Sequence, residues 1–148
     1  EYARRKNQIV GGGKYSPELA SHFLKVRSQL ILALHNAGAG LLLGSDAPQV
    51  FNVPGFSVHQ ELELLVAAGL SPYEALLTGT ANPAEFFAEA GESGIIAAGA
   101  GADFILLRGN PLESIGNTRS IDGVMLRGQW FDHAALESML AALEYPAQ

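Results

Sequence analysis

The stretch AGLLLGSDAP, residues 39–48, passes directly from an apolar run into a polar turn. Residues 39–43 contain no polar side chain, which is typical of a strand covered on both faces in a parallel sheet. The turn places a glycine, a hydroxyl and a carboxylate at the end of that strand. Because loops at the C-terminal ends of parallel strands converge on one crevice, Asp46 is a candidate functional residue. A lone aspartate here also serves as a turn former or a helix cap, so both interpretations stay open.

A helix is predicted immediately before this stretch. Ser16 and Pro17 provide a hydroxyl cap followed by proline at the first helical position, where a missing N–H does no harm. Gly38 supplies a left-handed exit from the helix. Apolar residues recur at three- and four-residue steps and predict one buried stripe, formed by Phe23, Val26, Leu30 and Leu34. This helix and a strand predicted at residues 41–43 together form an αβ unit.

Three short helices are predicted after Asp46 because three capping boxes follow it. In a capping box, the first side chain and the one three residues later satisfy each other's backbone N–H groups. The three pairs are Ser57 with Gln60, Ser71 with Glu74, and Asn82 with Glu85. Gly69 and Gly91 are predicted to close the first and the last of these helices.

The pattern changes at Gly94 to short apolar segments separated by glycine, which predicts strands. The predicted strands cover residues 95–96, 104–107, 124–126 and 129–131. Arg127 and Gly128 form a predicted hairpin turn between the last two strands. Asp132 is predicted to cap a final helix.

Composition limits the classes of partner. The chain has 148 residues, a net charge of −6 and a pI near 5.1, which argues against nucleic acid and anionic membranes as partners. No run approaches the ~20 apolar residues that a membrane span needs. The sequence contains no cysteine, so disulfides and thiolate metal sites are excluded. The glycines before Lys14 do not form a phosphate loop because Tyr15 breaks the required motif.

Five motifs follow Asp46 in a fixed order: GFSVHQEL (55–62), AGLSPYEAL (68–76), TANPA (80–84), GIIAAGAGAD (94–103) and GNPL (109–112). In this order and spacing the series resembles the C-terminal part of the amidohydrolase superfamily, the metal-dependent hydrolases on a (β/α)8 barrel. The imidazolonepropionase-like and Xaa-Pro dipeptidase-like branch is the most similar. The resemblance covers about residues 8–131, nearly the whole chain.

The resemblance implies an α/β fold, the C-terminal part of a (β/α)8 (TIM) barrel followed by the C-terminal strands of a small β-sandwich. Residues 1–93 are then the last βα portion of the barrel with the helices that follow it. Residues 94–131 supply the sandwich strands, and residues 132–148 form a terminal helix.

The resemblance also implies a function, the hydrolysis of peptide-like or cyclic amide C–N bonds by a metal-activated water. Asp46 corresponds to the aspartate after the final barrel strand, which ligates a divalent ion and accepts the proton of the attacking water. The expected ion is zinc, with one or two ions in the complete enzyme. His59 is a second catalytic candidate that contacts substrate or orients Asp46, unless it is an ordinary surface histidine. No residues for another cofactor are predicted.

The chain departs from the family pattern in its histidines. Family members carry a His-x-His pair and two further metal-binding histidines, whereas no two of the four histidines here stand two residues apart. His22, His35 and His133 are predicted to be structural or exposed. The chain is therefore expected to be a C-terminal piece of an enzyme, inactive alone because one carboxylate cannot fill a catalytic metal site.

The expected partners follow from this interpretation. They are a small amide or dipeptide-like substrate, and either a second copy of the chain or the missing N-terminal part. The alternative interpretation is a non-catalytic α/β module that docks onto a partner chain.

Overall fold

The structure is a computed structural model and describes residues 16–49 and 52–143. The loop predicted over residues 1–14 lies outside the described residues. Helices α1 to α4 span Pro17–Asn36, Ser57–Ala68, Pro72–Leu77 and Ala81–Phe86. Strand β1 (Phe104–Leu107), a 3₁₀ helix (Ile115–Arg119), strands β2 (Ile121–Leu126) and β3 (Gln129–Asp132), and helix α5 (His133–Ala141) follow. The expected mixture of helices and strands is confirmed.

Several of the predicted helix caps are confirmed. The Ser16 hydroxyl accepts a hydrogen bond from the Leu19 N–H at 3.2 Å, with Pro17 in the first turn of α1. Ser71 and Glu74 form a complete capping box, since Glu74 N–H donates to the Ser71 hydroxyl and Ser71 N–H donates to the Glu74 carboxylate. These caps depend only on neighbours in sequence, so a local pattern is sufficient to find them.

The other two predicted capping boxes are wrong. Helix α2 begins at Ser57 itself, and the Ser57 hydroxyl donates to the Val53 carbonyl at 2.9 Å instead of capping. Asn82 lies inside the first turn of α4, and its side-chain amide donates to the Leu41 carbonyl at 2.9 Å. In both cases the polar side chain donates a hydrogen bond to a backbone carbonyl outside the helix, so it does not cap the N-terminus of the helix.

Gly69 ends α2 with φ of 120°, as predicted. The prediction that Gly91 ends α4 is wrong, because that helix ends at Phe86 and Ala88 takes the left-handed conformation with φ of 62°. The strand predicted at residues 95–96 is also absent from the described part of the chain.

Strands β1, β2 and β3 form an antiparallel sheet in sequence order. Arg127 and Gly128 connect β2 to β3 with φ of 50° and 77°, the two positive values of a type I′ hairpin turn. Gly123 on β2 lies against the Trp130 ring, since a Cβ there would approach the ring to 2.2 Å. The Asp132 carboxylate caps α5 by accepting the Ala135 N–H at 2.8 Å. The hairpin and the final cap are therefore as predicted.

Residues 39–46, here called the Asp46 segment, do not pair with a strand in the described part of the chain. The strand predicted at residues 41–43 is therefore not formed here, because a strand of this composition needs neighbouring strands that no described segment supplies. Instead, the Leu43 N–H donates to the Thr78 carbonyl at 2.8 Å, and Asn82 donates to the Leu41 carbonyl. These two bonds connect the segment to the α3–α4 region.

A small core connects these parts. Its buried residues are Leu62, Leu65, Leu70, Ala75 and Ile115, and half-buried Ile31, Leu32, Leu41, Leu43, Val66 and Leu76 pack against them. The core thus joins α1, α2, α3, the 3₁₀ helix and the Asp46 segment. Burial of Leu41 and Leu43 against this cluster determines where the segment lies.

Helix α1 packs through a different side from the one predicted. Ile31 and Leu32 contact the core, whereas the predicted stripe is exposed, with Phe23 at 59% and Leu30 at 58%. The prediction of a buried stripe is therefore wrong for the described chain, because α2 covers only the Ile31–Leu32 side.

Of the described helices, none combines the length and apolar composition that crossing a bilayer requires.

Candidate functional site

Asp46 ends the Asp46 segment in an unusual backbone conformation. Its φ is 55°, in the left-handed region that L-residues other than asparagine and aspartate rarely adopt. Aspartate tolerates this conformation better than most residues, because its short polar side chain can form local hydrogen bonds. The residue is exposed rather than packed in the core. Hydrogen bonds of the following loop must therefore provide most of the constraint on this residue.

Two side-chain amides of that loop fold back towards Asp46. Gln49 Nε2 donates to Asp46 Oδ2, and the Gln49 backbone N–H donates to the Asp46 carbonyl at 3.3 Å. Asn52 Nδ2 donates to the Ser45 carbonyl at 2.6 Å, and the Asn52 N–H donates to the Gln49 carbonyl at 2.9 Å. Together these bonds hold the Asp46 carboxylate and the backbone on either side of it.

Asp46 opens onto a cleft of about 400 Å³ between α1, α2 and its own loop. The lining is mostly polar and consists of Arg27, Gly44, Ser45, Asp46, Gln49, Asn52, Ser57, Gln60, Glu61 and Leu64. Two carboxylates and one guanidinium thus face the same space. A cleft with convergent polar groups and a constrained carboxylate is a candidate binding site.

The described residues do not supply a complete metal centre. No group of three or more histidine, aspartate and glutamate side chains in residues 16–49 and 52–143 is arranged to hold an ion. Because a catalytic zinc typically takes three protein ligands, Asp46 fits as one ligand of such a site and no more.

His59 is placed on another side of α2. It is absent from the lining of the Asp46 cleft, and its Nδ1 lies 3.0 Å from the hydroxyl of buried Thr118 on the 3₁₀ helix. That hydroxyl donates its single proton to the Ile115 carbonyl at 2.8 Å, so His59 Nδ1 must be the donor to Thr118. The structure does not bring His59 and Asp46 together, and the catalytic role of His59 stays a prediction.

The pKa of His59 is lowered from its ordinary value of 6.5. Burial is the main cause, the positive charge of Arg119 adds to it, and Glu63 opposes both. Glu63 and Arg119 themselves form an ion pair of 3.0 Å between α2 and the 3₁₀ helix. His59, Glu63, Thr118 and Arg119 together connect the helix beside the cleft to the C-terminal sheet region.

We expect the unfolding free energy to fall as the pH is lowered below 6.5, because the unfolded chain then binds a proton that the folded His59 resists. The contribution of neutral His59 to the unfolding free energy is present at neutral pH, and it is lost as the pH falls through the pKa of His59 in the folded chain. Urea unfolding from about pH 7.5 to about pH 5 measures this slope. His59→Gln should flatten it and His22→Gln, on exposed α1, should not. An equal slope in all three proteins would contradict the assignment.

The remaining histidines form no site among the described residues. His35 Nε2 lies 3.1 Å from Glu74, and His133 contacts Arg108 with its ring. The pKa of Glu74 is lowered to about 2, first by its hydrogen bonds with Ser71 and then by His35. His35 thus supports a helix start, as the prediction of a structural role implies.

Sequence reasoning missed Gln49 and Asn82 as residues that organise the site. Neither belongs to a recognised motif in that role, and Asn82 reaches a carbonyl 41 residues away. The one available signal was the concentration of amide side chains directly after Asp46, at Gln49 and Asn52.

Comparisons with known proteins place these features in a family context. Residues 5–131 match the amidohydrolase family. A protein from Bifidobacterium longum provisionally assigned as a prolidase is 32% identical, with a TM-score of 0.63, over 76% of this chain and 29% of that chain. Phenylurea hydrolase B is 31% identical, with a TM-score of 0.57, over 73% of this chain and 27% of that chain.

A Xaa-Pro dipeptidase with bound methionine in its active site shares the fold, with a TM-score of 0.62 and 24% identity. The alignment covers 71% of this chain and 25% of the dipeptidase. The chain thus spans between a quarter and a third of the length of these structures. Curated proteins give no significant match to this sequence.

Proposed function

The chain belongs to the amidohydrolase family, and we propose that it forms the C-terminal portion of a metal-dependent hydrolase that cleaves C–N bonds. The predicted likeness to Xaa-Pro dipeptidase-like amidohydrolases is confirmed, whereas the likeness to imidazolonepropionase stays a prediction. The proposed substrates are small amides, either dipeptide-like or cyclic. A phenylurea hydrolase among the similar structures supports the C–N class, since ureas also carry carbonyl–nitrogen bonds.

The observation that carries the proposal is the position of Asp46. Its carboxylate follows an apolar segment, is held by Gln49 and faces a polar cleft. A divalent ion, when bound, would lower the pKa of a water and polarise the substrate carbonyl. In the proposed mechanism, Asp46 supplies one ligand of that ion and accepts the proton of the attacking water. The other ligands would come from residues outside the described chain.

The proposed architecture follows the sequence prediction. Residues 1–93 would form the last βα portion of a (β/α)8 barrel and the helices that follow it. The Asp46 segment would be the last barrel strand once neighbouring strands are present. The antiparallel sheet of β1, β2 and β3 covers residues 104–132 and overlaps the proposed sandwich segment, residues 94–131, which supports the proposed strands there. Helix α5 begins at His133 and corresponds to the proposed terminal helix.

Association with another part of the enzyme is supported by exposed apolar side chains on α1. Leu19, Phe23 and Leu24 are 49%, 59% and 58% exposed and line an apolar depression of about 520 Å³. Monomeric proteins rarely expose large contiguous apolar surface, so we propose that the remainder of the barrel or a second copy covers this face. The alternative of a non-catalytic docking module uses the same surface.

The test is a hydrolysis assay of the complete protein that contains this chain, using a Xaa-Pro dipeptide, a lactam and a phenylurea. We expect turnover of at least one substrate, loss of turnover on chelation, and recovery with Zn²⁺. The 148-residue chain alone should show no turnover, and calorimetry should detect no stoichiometric sub-micromolar Zn²⁺ binding.

The outcomes separate the alternatives. Turnover that survives chelation would contradict metal dependence. Tight zinc binding by the isolated chain would show that its own residues complete the site. If the complete protein is folded and hydrolyses none of the three substrates, the result would favour the docking module.

A further inference from the structure

Among the described residues, one side-chain hydrogen bond reaches the Asp46 carboxylate. Gln49 Nε2 donates it to Oδ2, from a residue three positions along the same loop. Arg27 and Glu61 line the same cleft but form no hydrogen bond or ion pair with Asp46 in the described chain. The orientation of the carboxylate thus depends on a neutral amide rather than on a cation.

We propose that Gln49 is a positioning residue for Asp46, an inference that rests on the proposed function. An exposed aspartate samples several staggered side-chain rotamers, and only some of them direct a carboxylate oxygen into the cleft. The Gln49 amide binds Oδ2, whereas Oδ1 forms no hydrogen bond in the described chain and stays available for an ion or a reacting water. Because the amide is neutral, the Asp46 carboxylate is oriented without being paired with a cation.

The loop backbone supports this assignment. The Gln49 N–H bonds to the Asp46 carbonyl, and the Gln49 carbonyl accepts the Asn52 N–H. Asn52 in turn donates its side-chain amide to the Ser45 carbonyl. Both backbone groups of Gln49 are therefore hydrogen-bonded. Because the backbone is already ordered, less conformational entropy is lost when the side chain binds Asp46.

The bond itself is tested without any activity measurement. In the complete protein, labelled with ¹⁵N in glutamine side chains, we expect slow hydrogen exchange at the Gln49 side-chain amide compared with exposed Gln129. Asp46→Gly removes the acceptor and tolerates the positive φ, so exchange at Gln49 should rise to the rate at Gln129. Unchanged exchange in this variant would overturn the proposal.

The positioning role is tested by steady-state kinetics. Loss of a residue that orients a ligand typically costs 10–100-fold, so we expect Gln49→Met to lower kcat by about tenfold to a hundredfold. KM should change by less than about twofold, because binding of the substrate does not require the oriented carboxylate. Gln129→Met, on the exposed end of β3, is the matched control and should keep full turnover.

An isosteric variant separates orientation from simple packing. Gln49→Glu keeps the size of the side chain but replaces the amide donor by a second carboxylate beside Asp46. We expect it to lower kcat at least as much as Gln49→Met does. Full turnover in either Gln49 variant would overturn the proposal, provided that Asp46→Asn is inactive. If Asp46→Asn is active as well, the proposed function itself fails.

Discussion

Asp46→Asn is expected to lower the turnover of the proposed complete hydrolase by about a thousandfold, within the range that a general base contributes. Asparagine has the same shape and also tolerates the left-handed φ of 55°, so the loop should stay intact. The amide oxygen still accepts the Gln49 hydrogen bond. What is lost is the negative charge, and with it the ability to take a proton and to bind a cation strongly.

Steady-state kinetics and a urea unfolding curve of the same preparation measure this effect. Asp122→Asn is the matched control, because Asp122 forms an exposed ion pair with Arg108 at 3.3 Å on β2. Exposed pairs contribute about 0–1 kcal/mol, so this control should keep both stability and activity. Retained turnover in Asp46→Asn would exclude the proposed role of the carboxylate.

Gly94→Ala is expected to destabilise the chain by about 3 kcal/mol or more, in the range typical of strain and overpacking. Gly94 has φ of 72°, which alone costs alanine about 1–2 kcal/mol. In addition, an alanine Cβ would lie 2.4 Å from the Thr80 carbonyl oxygen, a backbone atom that cannot move alone. Thr80 lies between Thr78 and Asn82, which hold the Asp46 segment, so the damage should extend to the site.

Gly99→Ala is the matched control for Gly94→Ala. Gly99 has φ of 92°, but nothing lies within 4 Å of a Cβ at that position. The control therefore measures the conformational strain without the collision and should cost about 1–2 kcal/mol. Equal losses of unfolding free energy in urea for the two variants would contradict the predicted collision.

The structure also indicates which features a sequence can predict. The Ser71–Glu74 box, the Asp132 cap and the Arg127–Gly128 turn were predicted correctly because each depends on residues within four positions. The pattern that makes Asp46 a candidate is local as well, a carboxylate in the polar turn that follows an apolar run, and its functional role stays a prediction.

The failures involve partners that are distant in sequence. Asn82 has the pattern of a cap, but its amide donates to Leu41, and no local rule weighs a partner 41 residues away. Residues 41–43 have the composition of a central strand, but strand pairing requires neighbours that the described chain does not contain. The apolar stripe of α1, including Phe23 and Leu30, has the spacing of an amphipathic helix. It is exposed all the same, because burial depends on which element packs against it.

The family resemblance predicts a role for Asp46 and none for Gln49. The proposal for Gln49 depends instead on the loop geometry, which places its amide against the carboxylate. The two amide side chains that follow Asp46, Gln49 and Asn52, are a signal in the sequence, but the sequence does not say which atoms they contact.

Residues 39–46 are connected to the rest of the described chain by the Leu43–Thr78 and Asn82–Leu41 hydrogen bonds and by packing of Leu41 and Leu43 against the buried cluster. Because no neighbouring strand pairs with this segment in the described chain, warming or mild denaturant should release it from the isolated chain before the cluster melts. The isolated chain can then keep its helical circular-dichroism spectrum after the loop around Asp46 has lost its geometry. Hydrogen exchange at the Leu43 amide would therefore become fast below the thermal midpoint of the helices.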